Sequence, residues 1–289
     1  MVRNIEWHAA NGDVLYFNET PPFLLTRFYP GNPSGAAEIA RGIRTDGQQT
    51  FHVSAEPLTP SLTGSMHAAG VTIADKQEAL DKLRIRLQAA LNPKHFGTLV
   101  FNNYAGSFKL RCRPITGAEF ANRFANTHRL DIEWISDDAY WTVAESKSLT
   151  IGIVKKMWRF PWVIKPTVFG AIFNKGFISN PTEIDIFPKI VVTETSSSRV
   201  TIGNRATGQY TTIAHSISTG QTLELDMSVP SAILINEDGT REDVTFWTTV
   251  ESDFPWAIVP GDNEVYSTTD NPELSPIITI MWDVPEVGI

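Results

Sequence analysis

The sequence predicts a mainly β protein of two domains. Short segments with period-2 alternation of apolar and polar residues recur along the chain, as half-buried strands require. The 18 Pro and 19 Gly residues are scattered, which indicates many segments joined by turns. Only one segment has helical spacing. A chain of 289 residues fits one large or, more often, two ordinary domains. Its 42% hydrophobic and 19% charged residues can fill real cores and argue against a disordered chain.

The first half is predicted to consist of strands and turns around one helix. A tight turn at Asn11-Gly12-Asp13 precedes a strand at 14–17, and Pro21-Pro22 breaks the chain before Phe23. Asp46-Gly47 is a second turn, leading into 48–53. Alternation or apolar runs predict further strands at Gly97–Phe101, Phe108–Arg113 and Leu130–Trp134.

The single predicted helix spans about Lys76 to Leu91. Asp75 is the expected N-cap, and Glu78 lies three residues on, as a capping box requires. The helix ends at Asn92-Pro93, because proline disfavours helical geometry in the residue before it. One apolar stripe is predicted to pack on a sheet, and it consists of Leu80, Leu83, Leu87 and Leu91.

The second half is predicted to be all β. Turn signals every 8–12 residues or so are typical of a sandwich or barrel. They are Gly203-Asn204, Thr219-Gly220, Asp238-Gly239 and Pro260-Gly261-Asp262-Asn263. The strand candidates are 183–187, 189–193, 200–202, 210–214, 222–227, 232–236, 244–249, 264–267 and 277–282. In one of them, Leu223, Leu225 and Met227 face one way and Glu224 and Asp226 the other.

Charge divides the chain into three parts. Residues 1–150 carry 15 basic and 15 acidic residues, 151–175 carry five bases and no acid, and 176–289 carry 4 bases and 17 acids. The acidic part should repel nucleic acid and anionic membranes, which bind proteins chiefly through their phosphates. It serves either solubility or an acidic outer surface that faces basic partners or solvent.

The basic segment 151–175 contains Trp158, Phe160 and Trp162 among its bases. Basic residues between aromatic ones can bind single-stranded nucleic acid. The prolines in Phe160-Pro161-Trp162 and Lys165-Pro166 instead favour an extended linker that docks on a neighbour.

Motifs for catalysis or metal binding are missing from the sequence. No two histidines have metal-ligand spacing, and neither a nucleophile elbow nor a phosphate-binding loop occurs. Cys112 lies on the apolar phase of its strand, so we expect a small core residue and not a nucleophile. The adjacent acid pairs are expected to be loop residues: Asp137-Asp138, Glu237-Asp238 and Glu242-Asp243. We therefore predict no catalytic, cofactor-binding or metal-binding residues, no cofactor, and no enzymatic activity.

Four aromatic residues of the second half, Trp247, Phe254, Trp256 and Trp282, allow two interpretations. They could line a sugar-binding face, or they could belong to the core, which is the commoner place for tryptophan. The first eight residues have no apolar segment that would make a secretory signal, and no run approaches the ~18 apolar residues of a membrane helix. With one cysteine, the chain is expected to be made in a reducing cytoplasm.

The order of these features resembles the distal tail proteins of long-tailed phages, the siphovirus tail-component family. In the first half the likeness lies in the helix, the segment from Leu91 to Leu99, the basic strand, 130–134 and 138–141. In the second half it lies in Ile202–Gly208, Leu223–Asp226, Phe254, Val259–Asn263 and the closing strand to Trp282. The resemblance extends over residues 1–289, and its specificity is in the order of the motifs.

The resemblance implies a domain plan and a structural role. Residues 1–150 would form a β-sandwich-like belt domain with one packed helix, 151–175 a basic linker, and 176–289 a galectin-like β-sandwich. Family members form a hexameric ring at the distal end of the tail tube, with a central channel through which DNA passes. Implied partners are further copies of the chain, the tail-tube protein, the tail-tip hub protein and receptor-binding or other baseplate proteins.

The implied location is the virion, at the tail tip, after synthesis in the cytoplasm of the bacterial host. Neither a membrane nor a specific nucleic-acid sequence is an implied partner. Two alternatives of other classes stay open at this point. One is a carbohydrate-binding β-sandwich for recognition of the host cell wall, and the other is an esterase or glycosidase on a β fold.

Overall fold

The computed structural model describes residues 4–40, 49–115, 118–124, 127–159, 168–195, 198–270 and 276–286. The chain divides into two compact units, the first made of residues 1–145 and 285–289, the second of residues 146–284. Strands dominate both units, and the described residues contain one α-helix. The predicted mainly β fold class is confirmed. Among the described residues, no helix is long and apolar enough to cross a bilayer.

The first unit contains twelve strands and the helix. They are β1 (Asn4–His8), β2 (Val14–Phe17), β3 (Phe23–Tyr29), β4 (Gly35–Ala40), β5 (Gln49–Ala55), β6 (Ser61–His67), α1 (Ile73–Ala90), β7 (Gly97–Asn102), β8 (Ser107–Pro114), β9 (Glu119–Phe124), β10 (Thr127–Ser136), β11 (Trp141–Val143) and, from the end of the chain, β24 (Pro285–Glu286).

Ten of these strands form one curled sheet. Its main path is β2-β1-β7-β8-β10-β6-β3; β9 pairs with β10, β11 with β8, and β24 with β11. The two end strands approach each other at the Asn18–Leu24 bridge. On the core side, the rings of Trp7 and Trp134 lie 5.9 Å apart. Gly97 permits this packing, because a Cβ there would come within 2.5 Å of the Trp7 ring.

Helix α1 packs on the sheet through its leucine stripe, as predicted. Leu80, Leu87 and Leu91 are buried and Leu83 is partly buried against the same core. The indole nitrogen of Trp7 donates a hydrogen bond of 2.9 Å to the carbonyl of Ala90, which satisfies one of the free carbonyls at the helix end.

The predicted start of the helix is wrong by one turn. The N-cap is Thr72, and the hydroxyl of Thr72 accepts a 3.1 Å hydrogen bond from the backbone of Asp75. The Asp75 carboxylate accepts in return from the backbone of Thr72 at 3.0 Å. Asp75 is therefore the N3 residue of the capping box, the third residue of the helix, and not its cap. The helix extends from Ile73 to Ala90.

The second unit contains the remaining strands and a short 3-10 helix. They are β12 (Lys147–Ile151), β13 (Ile153–Arg159), β14 (Val168–Phe173), β15 (Lys175–Asn180), β16 (Lys189–Thr195), β17 (Val200–Asn204), β18 (Tyr210–Ile213), β19 (Ile217–Asp226), β20 (Ser231–Ile235), β21 (Arg241–Asp243), the 3-10 helix Thr245–Trp247, β22 (Gly261–Thr269) and β23 (Ile277–Trp282).

These strands build a β-sandwich from two antiparallel sheets. The larger sheet has the order β12-β23-β16-β19-β20-β21, and the smaller one β15-β22-β17-β18. Leu223, Leu225 and Met227 are buried, as the alternation predicts. At one edge the sheets approach closely: a Cβ on Gly176 of β15 would meet the Leu149 side chain of β12 at 2.6 Å.

Two predicted strands of the second unit are not strands. Residues 183–187 form only the bridge Ile186–Ile258, because the Asn180 side chain accepts from the backbone of Thr182 and holds a turn there. Residues 244–249 contain the 3-10 helix, and the backbone N–H of its first residue, Thr245, donates to the Asp243 carboxylate at 3.0 Å. In both places a short polar side chain satisfies the backbone locally and competes with strand pairing.

Two hairpins stand apart from the larger sheets. Among the strands that the structure describes, β4 pairs only with β5, and β13 only with β14. The second hairpin occupies most of the predicted basic linker 151–175, of which 160–167, including Phe160, Trp162 and Lys165, lie outside the described residues. Asp46-Gly47 lies outside them too. The unit boundary falls at 145–146 and not at 150, because β12 pairs with β23 while β24 returns to the first sheet.

Candidate functional site

Cys112 is the one cysteine of the chain and so its one possible thiolate nucleophile. As predicted, it is a core residue. It is fully buried on β8 within the apolar cluster of the first unit. Burial raises the pKa of the Cys112 thiol far above its usual range. A thiol in that state is neutral and shielded from solvent, so it can act neither as a nucleophile nor as a metal ligand.

Asp137-Asp138 and Glu237-Asp238 lie in a bend and a turn, as expected, whereas Glu242-Asp243 belongs to strand β21, so the loop prediction is wrong for that pair. Asp238 accepts hydrogen bonds from the hydroxyl and backbone of Thr240, and these bonds lower the pKa of its carboxyl. Thr245 does the same for Asp243. A general acid at neutral pH needs a raised pKa. The geometry of these two carboxylates is that of turn residues that cap the following backbone.

Asp138 differs, because burial raises the pKa of its carboxyl and the charge of Asp137 adds to the effect, while Arg111 opposes it. The backbone of Asp138 is used structurally: its carbonyl accepts from Leu58, and its N–H donates to the Ser136 hydroxyl at 2.9 Å.

Four of the histidines have different partners or positions in the structure. His8 contacts Glu6 at 3.2 Å, His67 contacts Ser65 at 2.9 Å, and His128 is buried. His95 lies in the turn after α1. The side chain of His52 lies outside the described residues. No group of three potential metal ligands occurs within the described part of the chain.

The four aromatic residues of the second unit divide into two pairs. Trp256 and Trp282 are buried, so the core interpretation is correct for them. Trp247 and Phe254 are half-buried. The Trp247 indole is stacked flat on the His215 ring, with 3.7 Å between centroids and an interplanar angle of 3°. Phe246, next in the chain, is 77% exposed. The prediction from sequence missed His215 and Phe246, whose proximity arises only from the fold.

A network of buried amides holds one end of the sandwich. Asn180, Asn204 and Asn263 are at most 2% exposed. Asn204 donates to the carbonyl of Ala257 at 2.9 Å and to the side-chain oxygen of Asn263 at 2.7 Å. Asn180 donates to the carbonyl of Ile258 at 3.1 Å. These side chains fix the segment 257–263, whose backbone polar groups would otherwise be buried without partners.

An open groove of about 580 Å³ lies in the first unit beside β3. Leu25, Thr26 and Phe28 of β3 form one wall, Phe101 of β7 lies at its side, and Tyr104 comes from the turn after β7. The Phe28 and Phe101 rings are 5.0 Å apart, and Tyr104 is 82% exposed. Strand periodicity cannot reveal this groove, because its walls come from segments about 75 residues apart.

One protein-family model matches most of the second unit. Residues 182–283 match the family model described as the C-terminal domain of the siphovirus-type tail component. The resemblance found in the sequence is thereby confirmed. The match contains Asn204 and Asn263. Two of the turn motifs on which the resemblance was based, Ile202–Gly208 and Val259–Asn263, therefore each contribute one asparagine to the buried amide network. A comparison with curated proteins gives no significant match.

Solved structures resemble the chain over nearly its full length. The SPP1 Dit protein (gp 19.1), described as a paradigm of the hub adsorption apparatus in phages that infect Gram-positive bacteria, has a TM-score of 0.65 at 12% identity. The match covers 99% of this chain and 100% of that one. A chain of the phage P2 baseplate in its activated conformation with Ca matches at a TM-score of 0.59 and 9% identity, with complete coverage of both chains.

A third structure, the phage p2 baseplate in its activated conformation with Sr, matches at a TM-score of 0.55 and 9% identity, covering 97% of this chain and 98% of that one. At these identities the likeness establishes the fold. The residues that match the tail component model thus follow a first unit whose fold also occurs in these solved structures.

Proposed function

We propose that this protein is the distal tail, or baseplate hub, protein of a phage. Six copies form a ring at the distal end of the tail tube. The ring joins the tube to the tail tip and the apparatus that adsorbs to the host, and it leaves a central channel for DNA. The observation that carries the proposal is the likeness of both units together, over 97–100% of the chain, to solved hub and baseplate chains.

The charge distribution supports a ring. Residues 1–150 are neutral, which suits a unit surrounded by copies of itself, since like-charge repulsion would be multiplied by the symmetry. The 17 acidic residues of 176–289 repel one another less on the outside of such a ring, where copies are farther apart, than they would near its centre. The partners are the tail-tube protein on one side and the tail-tip hub and other baseplate proteins on the other. The location is the virion, after synthesis in the host cytoplasm.

The role is structural and not enzymatic. The buried Cys112 and the turn-bound carboxylates of Asp238 and Asp243 support it, because each of these reactive groups has a structural use. In this proposal the protein contributes shape and contact surface, and the chemistry of infection belongs to its partners.

The oligomer mass of the purified protein tests the proposal. Multi-angle light scattering, with the protein alone and mixed with its tail-tube partner, should give a species of six times the 32.1 kDa mass of one chain. A strict monomer at every concentration, with and without that partner, would contradict the proposal.

A second candidate function, binding of host cell-wall carbohydrate, is favoured by one observation. The exposed ring of Phe246 lies edge-on to Trp247 at 6.2 Å, on a flat stack with His215, and aromatic rings often line sugar sites on β-sandwiches. A glycan array should then show specific binding by the native protein and its loss in Phe246→Ala. Val229→Ala is the control, because Val229 is 65% exposed and lies on a different turn. No binding to any glycan would remove this candidate.

A further inference from the structure

Strand β8 carries a row of basic side chains on its outward face. The apolar residues of β8 are buried in the core of the first unit. Lys109, Arg111 and Arg113 alternate with them, so these bases project from the opposite face of the sheet. Both arginines are exposed. Side chains two residues apart on one face of a strand are separated by about 6.7 Å.

The two arginines lie over one aromatic ring. Phe96, in the connection between α1 and β7, is partly buried. The guanidinium carbon of Arg111 lies 4.4 Å from the centre of the Phe96 ring, and that of Arg113 lies 5.3 Å from it. A cation within about 6 Å of the centre of a ring is attracted to its face. The ring therefore holds two guanidinium groups close together, an arrangement that their like charges alone would oppose.

The two guanidinium groups form no ion pair with a carboxylate among the described residues, whereas Arg86 and Arg129 do. The charge of Arg111 opposes the rise in the pKa of the Asp138 carboxyl, but the two groups are not in contact as an ion pair. A guanidinium that lies over a ring can still donate from the N–H groups at its edges. The two arginines can therefore bind carboxylates or phosphates through paired hydrogen bonds.

Further basic residues lie next to the pair. Lys94 and His95 directly precede Phe96 and are exposed, and Lys109 precedes the arginines on the same face of β8. These residues, with Phe96, Arg111 and Arg113, are the β8 patch. Residues 1–150 as a whole carry 15 basic and 15 acidic residues. The positive charge of the patch is therefore local, which suits a partner whose negative charge is also local.

An acidic protein segment fits the β8 patch better than a nucleic acid does. Carboxylates on alternate residues of an extended segment recur at about 6.7 Å, which is also the spacing of the two arginines along β8. A nucleic acid binds through many phosphates, and its affinity grows with the number of bases that neutralise them. Asp138, which acts on Arg111 through its charge, and Asp137 beside it would repel the phosphates that continue past the pair.

We propose that the β8 patch is a docking site for an acidic, extended segment of a partner protein. Two carboxylates on alternate residues of that segment bind Arg111 and Arg113, and Phe96 holds both guanidinium groups in place. The inference deepens the proposed function, because it states the chemistry by which a neighbouring tail protein binds. It rests on that function only for the identity of the partner as a tail protein.

Binding of a model peptide tests the site. The probe is a fluorescein-labelled peptide of alternating Glu and Thr residues, and a peptide with Gln in place of Glu is the control ligand. Fluorescence anisotropy with the native full chain should show binding of the acidic peptide and not of its control. The double variant Arg111→Gln/Arg113→Gln should weaken binding by at least about tenfold, because hydrogen bonds between charged groups are lost at both positions.

The matched control is Lys76→Gln/Lys82→Gln, which removes two positive charges from α1 and none from the β8 patch. It should bind the acidic peptide as the native protein does. Circular dichroism and the melting temperature of each variant confirm that it is folded. Equal weakening in both double variants would mean that the peptide responds to net charge alone, and would overturn the proposal.

Conservative variants test whether the arginines and the ring form a built site. Arg111→Lys/Arg113→Lys keeps both charges but loses the planar groups that lie on Phe96 and donate in pairs. It should weaken peptide binding by about threefold to tenfold. Phe96→Leu, which has no ring face, should weaken binding by about twofold to fivefold, and Phe96→Tyr should restore it. Full affinity in the lysine variant would overturn the proposal.

The outcomes separate this inference from the proposed function. The double glutamine variant should keep the oligomer of the native protein in light scattering, because the β8 patch serves a partner. If the native protein forms the six-copy species but does not bind the acidic peptide, the inference is wrong and the proposed function stands. Tighter binding of a single-stranded oligonucleotide than of the peptide would also overturn the inference. A strictly monomeric native protein that binds the peptide would contradict the proposed function alone.

Discussion

Asparagine side chains determine the loop structure at one end of the second unit. A buried amide is costly unless its donors and acceptors have partners. Asn263 donates to the carbonyls of Val259 and Gly261 and accepts from the backbone N–H of Val259, so its amide is fully used. The sequence indicates these asparagines only as turn residues, because their long-range partners depend on the fold.

Replacing Asn204 with leucine should lower the free energy of unfolding of the second unit by about 2–4 kcal/mol. The substitution keeps the shape of the side chain but leaves the carbonyl of Ala257 and the N–H of Ala206 without their partners. Urea unfolding followed by tryptophan fluorescence, to which the buried Trp256 of this unit contributes, measures the change. Val229→Ala, on the surface, should be neutral. An equally small change in Asn204→Leu would contradict the role of the network.

The ion pair between Asp13 and Arg86 gives a dependence of stability on pH. Two hydrogen bonds of 2.6 and 2.8 Å from Arg86 lower the pKa of the Asp13 carboxyl. A carboxyl whose pKa is lowered on folding stabilises the protein above its unfolded pKa, near 4, and loses this effect as the pH falls through the folded value.

The Asp13→Asn variant should therefore be less stable than the native protein at pH 7 by about 0.5–1 kcal/mol, a small value because the pair is partly exposed to solvent. The difference should shrink towards zero near pH 3. Urea unfolding of both proteins at the two pH values measures it. A difference that is the same at both values would show that the charge of Asp13 is not responsible.

At the scale of single elements, the start of α1 shows how a local motif can be misassigned. Both Thr72 and Asp75 are good N-cap residues, and the sequence offers a box from either position. The exposed first turn, with Ile73 66% exposed, carries no apolar periodicity that would reveal it as helix. The hydrophobic pattern therefore predicts the buried part of the helix and not its solvated first turn.

Thr72→Ala should destabilise the first unit by about 1 kcal/mol, because one N–H at the helix start loses its acceptor. Thermal unfolding monitored by circular dichroism measures it. Val71→Ala, one residue earlier and outside the helix, is the control and should have no effect. If the two variants unfold alike, the hydroxyl of Thr72 does not contribute as a cap.

Strands with one buried and one exposed face could be predicted from the sequence. The predicted ends of β8, β10 and β23 lie within three residues of the observed ends, because alternation directly reflects burial. The segment 244–249 has strand-forming residues but forms a 3-10 helix. There the Asp243 carboxylate accepts a hydrogen bond from the backbone of Thr245, a local contact that strand propensity does not reflect.

The basic hairpin β13–β14 carries a prediction about assembly. Lys155, Lys156 and Arg159 lie on β13, and the second half of the chain is strongly acidic. If these bases pair with acidic surface on a neighbouring copy, changing all three to Glu should weaken the ring. Light scattering at decreasing protein concentration measures the dissociation. An unchanged hexamer would show that these bases are not at an interface.

At the scale of the whole molecule, the order of motifs along the chain predicted the family resemblance, which no single motif could have done. The tail-component resemblance was visible in turn motifs that the fold uses for its amide network. The groove beside β3 and the separate β4–β5 hairpin could not be predicted from the sequence. Both depend on which strands pair in the folded chain, and strand periodicity does not determine the pairing. Surface features of this kind have no local signature in the sequence.

The account depends most on where the protein is in the phage particle. Electron cryomicroscopy of the intact virion tests this directly. We predict six copies of the first unit in a ring at the junction of tail tube and tail tip. Density for this chain at any other place in the particle would contradict the account.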